Sequence, residues 1–342
     1  MSLSRFLIRR TAYSIFVLLG LSMVIFIIAR IMPGDPARMA VGARAPQWVV
    51  DRIRTHMHLD QPLPVQYYYW LKDALQGDFG LSLITQRPVT NDIKEFLPAS
   101  LELVILSALI SSIAGIGLGI LSAHYKDTWI DNLVRVFSYT GIVTPSFVFA
   151  ILFVLVFGFT LDWFPIIGRI SDNLTAPPLH TGLITIDSLM AWQPKVFIDA
   201  IWHMILPAMA LAMGSIAQAA RITRSSMADN MSKDYIAAAR TLGVPERLVS
   251  GRLLLKPSLI PTISILGLDI AATISVAFLV ELIFNWPGLG RYGMTAMLHK
   301  DLNAISAVIL IFGAIFIIAN IIVDLVVAYL DPRIRLRAAR SD

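Results

Sequence analysis

Six stretches of the chain are apolar over about twenty residues or more, the length that an α-helix needs to cross the hydrocarbon core of a membrane. They span residues 11–32, 99–123, 133–160, 196–220, 259–284 and 304–330. Charged residues make up only 15% of the chain, whereas soluble domains contain about 25%. No stretch shows the ten-residue alternation of a β-barrel strand. We therefore predict an all-α, polytopic membrane protein with about six transmembrane helices.

The basic residues of the connecting segments predict the orientation, because cytoplasmic loops carry an excess of Lys and Arg. Arginines cluster in residues 1–10, in the segment 221–256 and in the C-terminal residues 331–342. An even number of spans places these three regions on one side, which we predict to be the cytoplasm. We expect a multi-pass protein of the inner (cytoplasmic) membrane with both termini cytoplasmic.

Two longer segments then fall outside the cytoplasm. In residues 33–98, Pro46 and Pro64 can each begin a helix, and Gly77 can end the second one. The apolar residues expected to share a face are Val49, Ile53 and Met57 in the first helix and Tyr68, Leu71 and Leu75 in the second. Residues 161–195 contain four prolines and predict an irregular loop with at most one helix. A core of five further spans would follow in residues 99–330.

The cytoplasmic segment 221–256 is unusually long for a loop without signs of disorder, and such loops generally have a function. Alanines from Ala237 to Ala239 favour a helix. Gly243 suits the C′ position, where φ becomes positive, and Pro245 suits the first turn of a following helix. These residues predict two short helices joined at a turn, a shape that can enter a groove on a soluble partner.

Acidic side chains within apolar spans are energetically costly and usually functional. Glu281 and Asp269 are our candidates for lining a translocation path. A structural alternative stays open for each of them. Glu281 and Asp324 lie near helix ends, where capping or snorkelling of the side chain costs little free energy. Asp269 can pair with another subunit.

No motif for bond chemistry occurs in the sequence. The Gly-x-Ser-x-Gly elbow, the His-Glu-x-x-His helix and the Gly-x-x-x-x-Gly-Lys-Ser/Thr phosphate loop are all missing. His56, His58 and His203 are candidate metal ligands, but single histidines at such spacing more often face solvent or a helix neighbour. We therefore predict a transport subunit that is not an enzyme and binds no metal or cofactor, so that any ATP hydrolysis belongs to another polypeptide.

A secondary transporter or channel subunit is the alternative function, because intramembrane acids can couple ions. Such proteins often contain inverted repeats and broken helices, and the sequence indicates neither. An intramembrane enzyme is the third class considered, and the missing catalytic motifs speak against it.

Several motifs carry a resemblance to a known family. The pattern Asp-Tyr-Ile-x-x-Ala-Arg-x-x-Gly at residues 234–243 resembles the EAA loop of bacterial ABC importer permeases, the element that docks on the ATPase. Other segments are similar to the dipeptide/oligopeptide permease family, in the same order along nearly the whole chain. They are Pro33-Gly-Asp-Pro36, Leu59-Asp-Gln-Pro-Leu-Pro-Val-Gln-Tyr67, Gly77-Asp-Phe-Gly80, Pro145-Ser-Phe147, Leu206-Pro207, Val280-Glu281-x-x-Phe284, Trp286-Pro-Gly-Leu-Gly290, Asp324 and Asp331-Pro-Arg-Ile-Arg335.

The long outer segment resembles the B-type permease of that family. The chain departs from the family at Leu242, where a Lys is usual, and at residues 253–257, where His-x-Leu-Arg-Asn is frequent. These departures change side chains that make polar contacts to the ATPase in the family, whereas the two-helix shape is kept.

The resemblance implies a type I ABC importer permease fold and transport of di- or oligopeptides. It implies a coupling loop for the ATPase, in which we expect the small side chains to face the partner. The residues of this loop are Asp234, Tyr235, Ala238, Ala239, Arg240, Gly243 and Pro245. The partners implied are a second homologous permease, one or two ABC ATPases that use ATP and Mg, an extracytoplasmic substrate-binding protein and the lipid membrane, with no nucleic acid. The cargo stays open among dipeptides, longer peptides, nickel complexes, glutathione and sugars.

Overall fold

A computed structural model describes residues 3–31, 35–42, 44–56 and 58–330 of the protein. Within this part the chain is helical and forms no named strand. The helices are α1 (Leu3–Ile31), α2 (Pro36–Val41), α3 (Gln47–His56), α4 (Leu63–Leu75), α5 (Val89–His124), α6 (Trp129–Val143), α7 (Ser146–Phe153), α8 (Ile184–Met190), α9 (Pro194–Met231), α10 (Asp234–Thr241), α11 (Glu246–Leu248), α12 (Lys256–Ile283), α13 (Leu289–Leu298) and α14 (Leu302–Leu330). Pro33, Gly34, Met57 and the whole of 331–342 lie outside the described residues.

The all-α, polytopic prediction is confirmed. Among the described residues, five helices are long and apolar enough to cross a membrane, and a sixth span results when one bent pair is counted as a unit. The helices extend beyond the apolar stretches, however. α5 begins at Val89 instead of residue 99, and α9 continues to Met231 instead of ending at residue 220. The apolar length marks the part of a helix in lipid, whereas backbone hydrogen bonding continues the helix into polar sequence.

The predicted third span, 133–160, is broken, so the expectation of unbroken helices was wrong. α6 ends at Val143, α7 starts at Ser146, and their axes differ by 109°. Thr144 is extended, with φ −86° and ψ 122°, because a residue that precedes a proline is disfavoured in the α conformation. α7 continues as a π-helix over Val154–Thr160. The dipeptide Thr144-Pro145 therefore sets the break.

α9 is the centre of the bundle and packs against α5, α6, α7 and α12. α5 approaches it through glycines, because a Cβ at Gly115 would lie 2.6 Å from the Ala219 Cβ and one at Gly119 would lie 2.5 Å from the Thr223 Cβ. Small residues allow this close contact of membrane helices. α1 packs beside α14 at the edge of the bundle.

The outer segment contains both predicted helices. Pro46 precedes α3, and α4 ends before Gly77, whose φ of 81° confirms the predicted stop. The expected face of α4 does not pack on the protein, since Tyr68 and Leu75 are exposed. Instead Tyr67 and Trp70 pack on α1, with ring centroids 5.4 and 5.7 Å from that of Phe26. The loop 161–195 contains one helix, α8, as expected.

Candidate functional site

The predicted coupling segment forms a short helix and a tight turn between the membrane helices α9 and α12. α10 ends in a Schellman motif, in which Gly243 N donates to the Arg240 carbonyl and Val244 N donates to the Ala239 carbonyl, both at 3.0 Å. Gly243 has φ 73°, so the predicted positive φ is confirmed. Pro245 caps α11 from the position just before it, accepting backbone hydrogen bonds from Leu248 and Val249. A π-helix over Val249–Leu255 then leads into α12.

One face of α10 packs on the protein itself. Ile236 and Ala239 are buried in a cluster with Met227 of α9 and with Val249 and Leu254 of the π-helix. Ala239 is only 7% exposed, so the expectation that it faces a partner was wrong. The three-residue spacing from Ile236 to Ala239 places both side chains on one helix face. Ala238, on the opposite side, is exposed.

The outward face of α10 carries the remaining predicted coupling residues. Asp234, Ala238 and Arg240 are exposed, and Tyr235 is 44% exposed. Arg240 Nη2 lies 2.8 Å from Glu246 Oε1, an ion pair that bridges the turn. The hydrogen bond to Glu246 raises the pKa of the Arg240 guanidinium above its usual value. Both side chains are exposed, so solvent screens this pair and it contributes little to stability.

Leu242, noted in the sequence only as a departure from the family, is a further exposed residue of this segment. It is 81% exposed at the tip of the turn between α10 and α11. An apolar side chain in that position presents a hydrophobic contact where a Lys would present a charge. Its exposure could not be read from the sequence, because it depends on the direction of the turn.

A second candidate site is a cavity of about 450 Å³ beside the break between α6 and α7. α9 and α12 form its other walls, and the lining is partly polar although the surrounding helices are apolar. The polar residues of the lining are Thr144, Ser146, Ser215, Gln218, Asp269 and Thr273. The break leaves the Thr144-Pro145 backbone on this cavity. Irregular backbone at membrane depth is tolerated only where protein or water surrounds it.

Asp269 is the one acidic residue of this lining. Its nearest polar partner is Gln218, whose Nε2 lies 3.5 Å from Oδ1. Among the described residues Asp269 forms no ion pair. The structure therefore places this candidate path residue in a cavity, while its role in transport stays a prediction.

Glu281 lies elsewhere and is fully enclosed. It accepts hydrogen bonds from the Ser100 hydroxyl at 2.5 Å and from the Arg291 backbone N at 2.8 Å. Arg291 is the third residue of α13, so Glu281 caps the N-terminus of that helix from α12. A Cβ at Gly288 would lie 2.3 Å from the Glu281 Cδ, which leaves no room for a ligand there. This geometry favours the structural alternative for Glu281.

The other polar candidates also have neighbours within the chain. Asp324 lies 2.6 Å from Arg10 Nε. His203 Nδ1 lies 2.8 Å from the Asp199 carbonyl oxygen, and His58 stacks on Tyr69 with ring centroids 4.0 Å apart. In the described part of the chain no group of three His, Cys, Asp or Glu side chains is placed to hold a metal ion.

Comparison with protein families gives two matches that together cover most of the chain. The family described as "Binding-protein-dependent transport system inner membrane component" matches residues 115–336. A second family, the N-terminal part of such membrane components, matches residues 3–104.

Curated relatives match over nearly their whole length. The probable D,D-dipeptide transport system permease protein DdpB of Escherichia coli K12 is 38% identical over 94% of both chains. The dipeptide transport system permease protein DppB of Alkalihalophilus pseudofirmus is 35% identical, over 96% of this chain and 98% of the relative. The glutathione transport system permease protein GsiC of E. coli K12 is 33% identical, over 97% and 99% respectively.

Proposed function

The chain belongs to the family of binding-protein-dependent transport system inner membrane components, and on this basis we propose that it is the permease subunit of an ABC importer for peptides. Its relatives carry the names of dipeptide and glutathione permeases, and glutathione is itself a small peptide. Its role is to provide a path through the inner membrane. We propose that it binds no cofactor and that partner ATPases use ATP and Mg.

The observation that carries this proposal is the position of α10. It lies between the ends of α9 and α12, two helices long enough to cross the membrane, and its buried face packs on the continuation of both. Its other face is free and ends in the exposed Leu242. A displacement of α10 by an ATPase would therefore act on two membrane helices at once. ATP-driven closure of a partner ATPase requires such a contact in order to move the membrane helices.

We further propose that the cavity at Asp269 belongs to the translocation path. Lipid cannot satisfy its polar lining, because an unpaired polar group in hydrocarbon costs several kcal/mol. A second homologous permease would cover the open side of the cavity and complete the path. The rigid wall formed by Glu281, Ser100 and α13 lies outside it and holds α5 and α12 together.

The outer helices α2 to α4 fit a role in receiving an extracytoplasmic binding protein. Asp35 accepts a hydrogen bond from Ala37 N at 3.1 Å and pairs with Arg54 at 2.5 Å, which fixes α2 against α3. We propose that this cap faces the binding protein, with both chain termini and α10 on the cytoplasmic side. Replacing the segment by a short linker should then reduce transport and leave ATPase association intact.

Uptake by the reconstituted assembly tests the function. Proteoliposomes containing this chain, a second permease, the ATPases and the binding protein should accumulate peptides from a panel only when ATP is supplied. The purified chain alone should not hydrolyse ATP. Uptake driven by an ion gradient without ATP would identify a secondary transporter instead and overturn the proposal.

A single substitution tests the α10 contact directly. Leu242→Asp places a charge where we propose an apolar contact, and it should weaken co-purification of the ATPase with the assembled permeases. Leu179→Asp is the matched control, because Leu179 is 69% exposed in the outer loop. Equal ATPase recovery with both variants would contradict a docking role for this turn.

A further inference from the structure

A second, smaller cavity of about 200 Å³ lies between α6 and α9, near the end of α9 that leads to α10. Three of its lining residues are arginines: Arg135 on α6, and Arg221 and Arg224 on α9. No acidic residue lines it within the described part of the chain. The mechanism proposed above makes no use of this cavity.

The three arginines are not equivalent. Arg224 forms a bidentate pair with the buried Asp131, with Nε and Nη2 at 2.5 and 2.6 Å from its two oxygens. Arg135 and Arg221 form no hydrogen bond or ion pair with the other described residues, and both are exposed at the rim of the cavity. After Asp131 neutralises Arg224, two positive charges are therefore left without a partner. Guanidinium groups in this arrangement favour an oxyanion such as phosphate.

A buried polar group points to the same ligand. The Ser138 side chain is only 2% exposed and lines the cavity, and its hydroxyl has no hydrogen-bond partner among the described residues. A buried hydroxyl without a partner is costly, and most such groups are satisfied by water or a ligand. An oxyanion held by Arg135 and Arg221 would bring an acceptor oxygen to this hydroxyl.

With α10 on the cytoplasmic side, as proposed above, the cavity would lie at the depth of lipid head groups. Arg221 directly follows the apolar stretch 196–220, and Arg135 lies at the start of the stretch 133–160. From this level an exposed row of apolar side chains runs along α6 toward the bilayer centre: Leu133, Val136 and Val143. This row gives acyl chains an apolar surface on α6 near the level of the cavity.

We infer that this cavity binds the phosphate of an anionic phospholipid in the inner leaflet. Basic pockets between membrane helices on the cytoplasmic side are known to hold such head groups. Each arginine near the surface of an anionic membrane contributes about fivefold to affinity, so removing both should weaken binding by about 25-fold. The bound lipid would brace α6 against α9 beside the break that forms the larger cavity.

Native mass spectrometry of the full chain in detergent tests the inference. The chain is titrated with phosphatidylglycerol, with phosphatidylcholine or with inorganic phosphate. Wild type should retain phosphatidylglycerol in preference to phosphatidylcholine. Arg135→Gln combined with Arg221→Gln should lose this preference by about 25-fold, and Ser138→Ala should weaken it. Arg252→Gln combined with Lys256→Gln removes two exposed basic residues outside the cavity and should leave the preference unchanged.

Three outcomes would overturn the inference. Unchanged lipid retention in the Arg135 and Arg221 double variant, with helicity verified by circular dichroism, would show that the cavity is not the site. Binding of inorganic phosphate by the wild type, without any preference for phosphatidylglycerol over phosphatidylcholine, would identify a free anion as the ligand. If the Arg135 and Arg221 double variant retains the lipid but no longer co-purifies with the second permease, the occupant would be an acidic group of that partner.

Discussion

The hydroxyl of Ser100 lies 2.5 Å from the carboxylate of Glu281 and donates a hydrogen bond to it, which joins α5 to α12 across 181 residues of sequence. The same hydroxyl accepts a hydrogen bond from Leu289 N at 2.8 Å, the first residue of α13. Three helices thus meet at one buried serine. A carboxylate within an apolar bundle is tolerated here because it accepts hydrogen bonds from the Ser100 hydroxyl and the Arg291 N–H.

Replacing Glu281 should therefore destabilise the fold. Glu281→Ala leaves the Arg291 N–H and the Ser100 hydroxyl without their acceptor, at about 1–3 kcal/mol for each buried unsatisfied group. Thermal unfolding of the purified chain, followed by tryptophan fluorescence, should show a lower midpoint. Asp269→Ala is the control, since Asp269 has only one long contact, and its midpoint should stay near that of wild type. Equal midpoints for the two variants would contradict the capping role of Glu281.

Replacing Asp269 should reduce transport without lowering thermal stability, unlike replacing Glu281. Asp269→Asn keeps the shape of the side chain and removes the charge that faces the larger cavity. We expect peptide uptake by the reconstituted assembly to fall about tenfold, equivalent to ~1.4 kcal/mol of barrier, with unchanged thermal stability. Asp172→Asn in the outer loop is the matched control, because Asp172 is exposed and lies outside the predicted spans. Normal uptake by Asp269→Asn would remove this residue from the path.

The function of the turn after α10 should depend on the backbone conformation of Gly243 and not on space for a side chain. A Cβ at Gly243 would have nothing within 4 Å, but its φ of 73° costs a non-glycine residue about 1–2 kcal/mol. Gly243→Val should therefore weaken ATPase binding or uncouple hydrolysis from uptake, measured side by side in proteoliposomes. Gly251→Ala has equally open space and no positive φ, so it should be neutral. A defect of equal size in both variants would exclude the conformational explanation.

Two neighbouring alanines should respond differently to the same change. Ala238→Trp adds a bulky group on the exposed face and should block the ATPase without lowering the thermal stability of the isolated chain. Ala239→Trp overpacks the cluster around Ile236 and should destabilise the isolated chain by about 1–3 kcal/mol. Fluorescence unfolding and ATPase co-purification distinguish the two effects. A stable Ala239→Trp chain would contradict the observed packing of α10.

The predicted orientation can be checked by labelling, because the chain has no native cysteine. Single cysteines at Asp60 and Asp172 should react with an impermeant maleimide on intact cells, and one at Ala238 should react only after permeabilisation. All three positions are exposed, so a lack of reaction would not arise from burial. Labelling of Ala238 from outside would reverse the assigned topology.

Much of the architecture is local in origin and was therefore predictable. The apolar stretches define their spans by length, since each must satisfy its backbone hydrogen bonds within lipid. Gly243 and Gly77 end their helices as expected, because the positive φ that each position requires is a property of the residue itself. The family could also be identified from the sequence, because its motifs and their order are read without any knowledge of tertiary contacts.

The direction of side chains was decided only by the tertiary structure. Ala238 and Ala239 are the same residue type in neighbouring positions, and only the packing of α10 on the π-helix and on α9 buries Ala239 and leaves Ala238 exposed. Glu281 and Asp269 are both acids within one apolar helix, yet only Glu281 meets Ser100 and the N-terminus of α13, while Asp269 faces a cavity. Partners 181 residues apart cannot be inferred from hydropathy, because burial of a charge depends on which donors the fold brings to it.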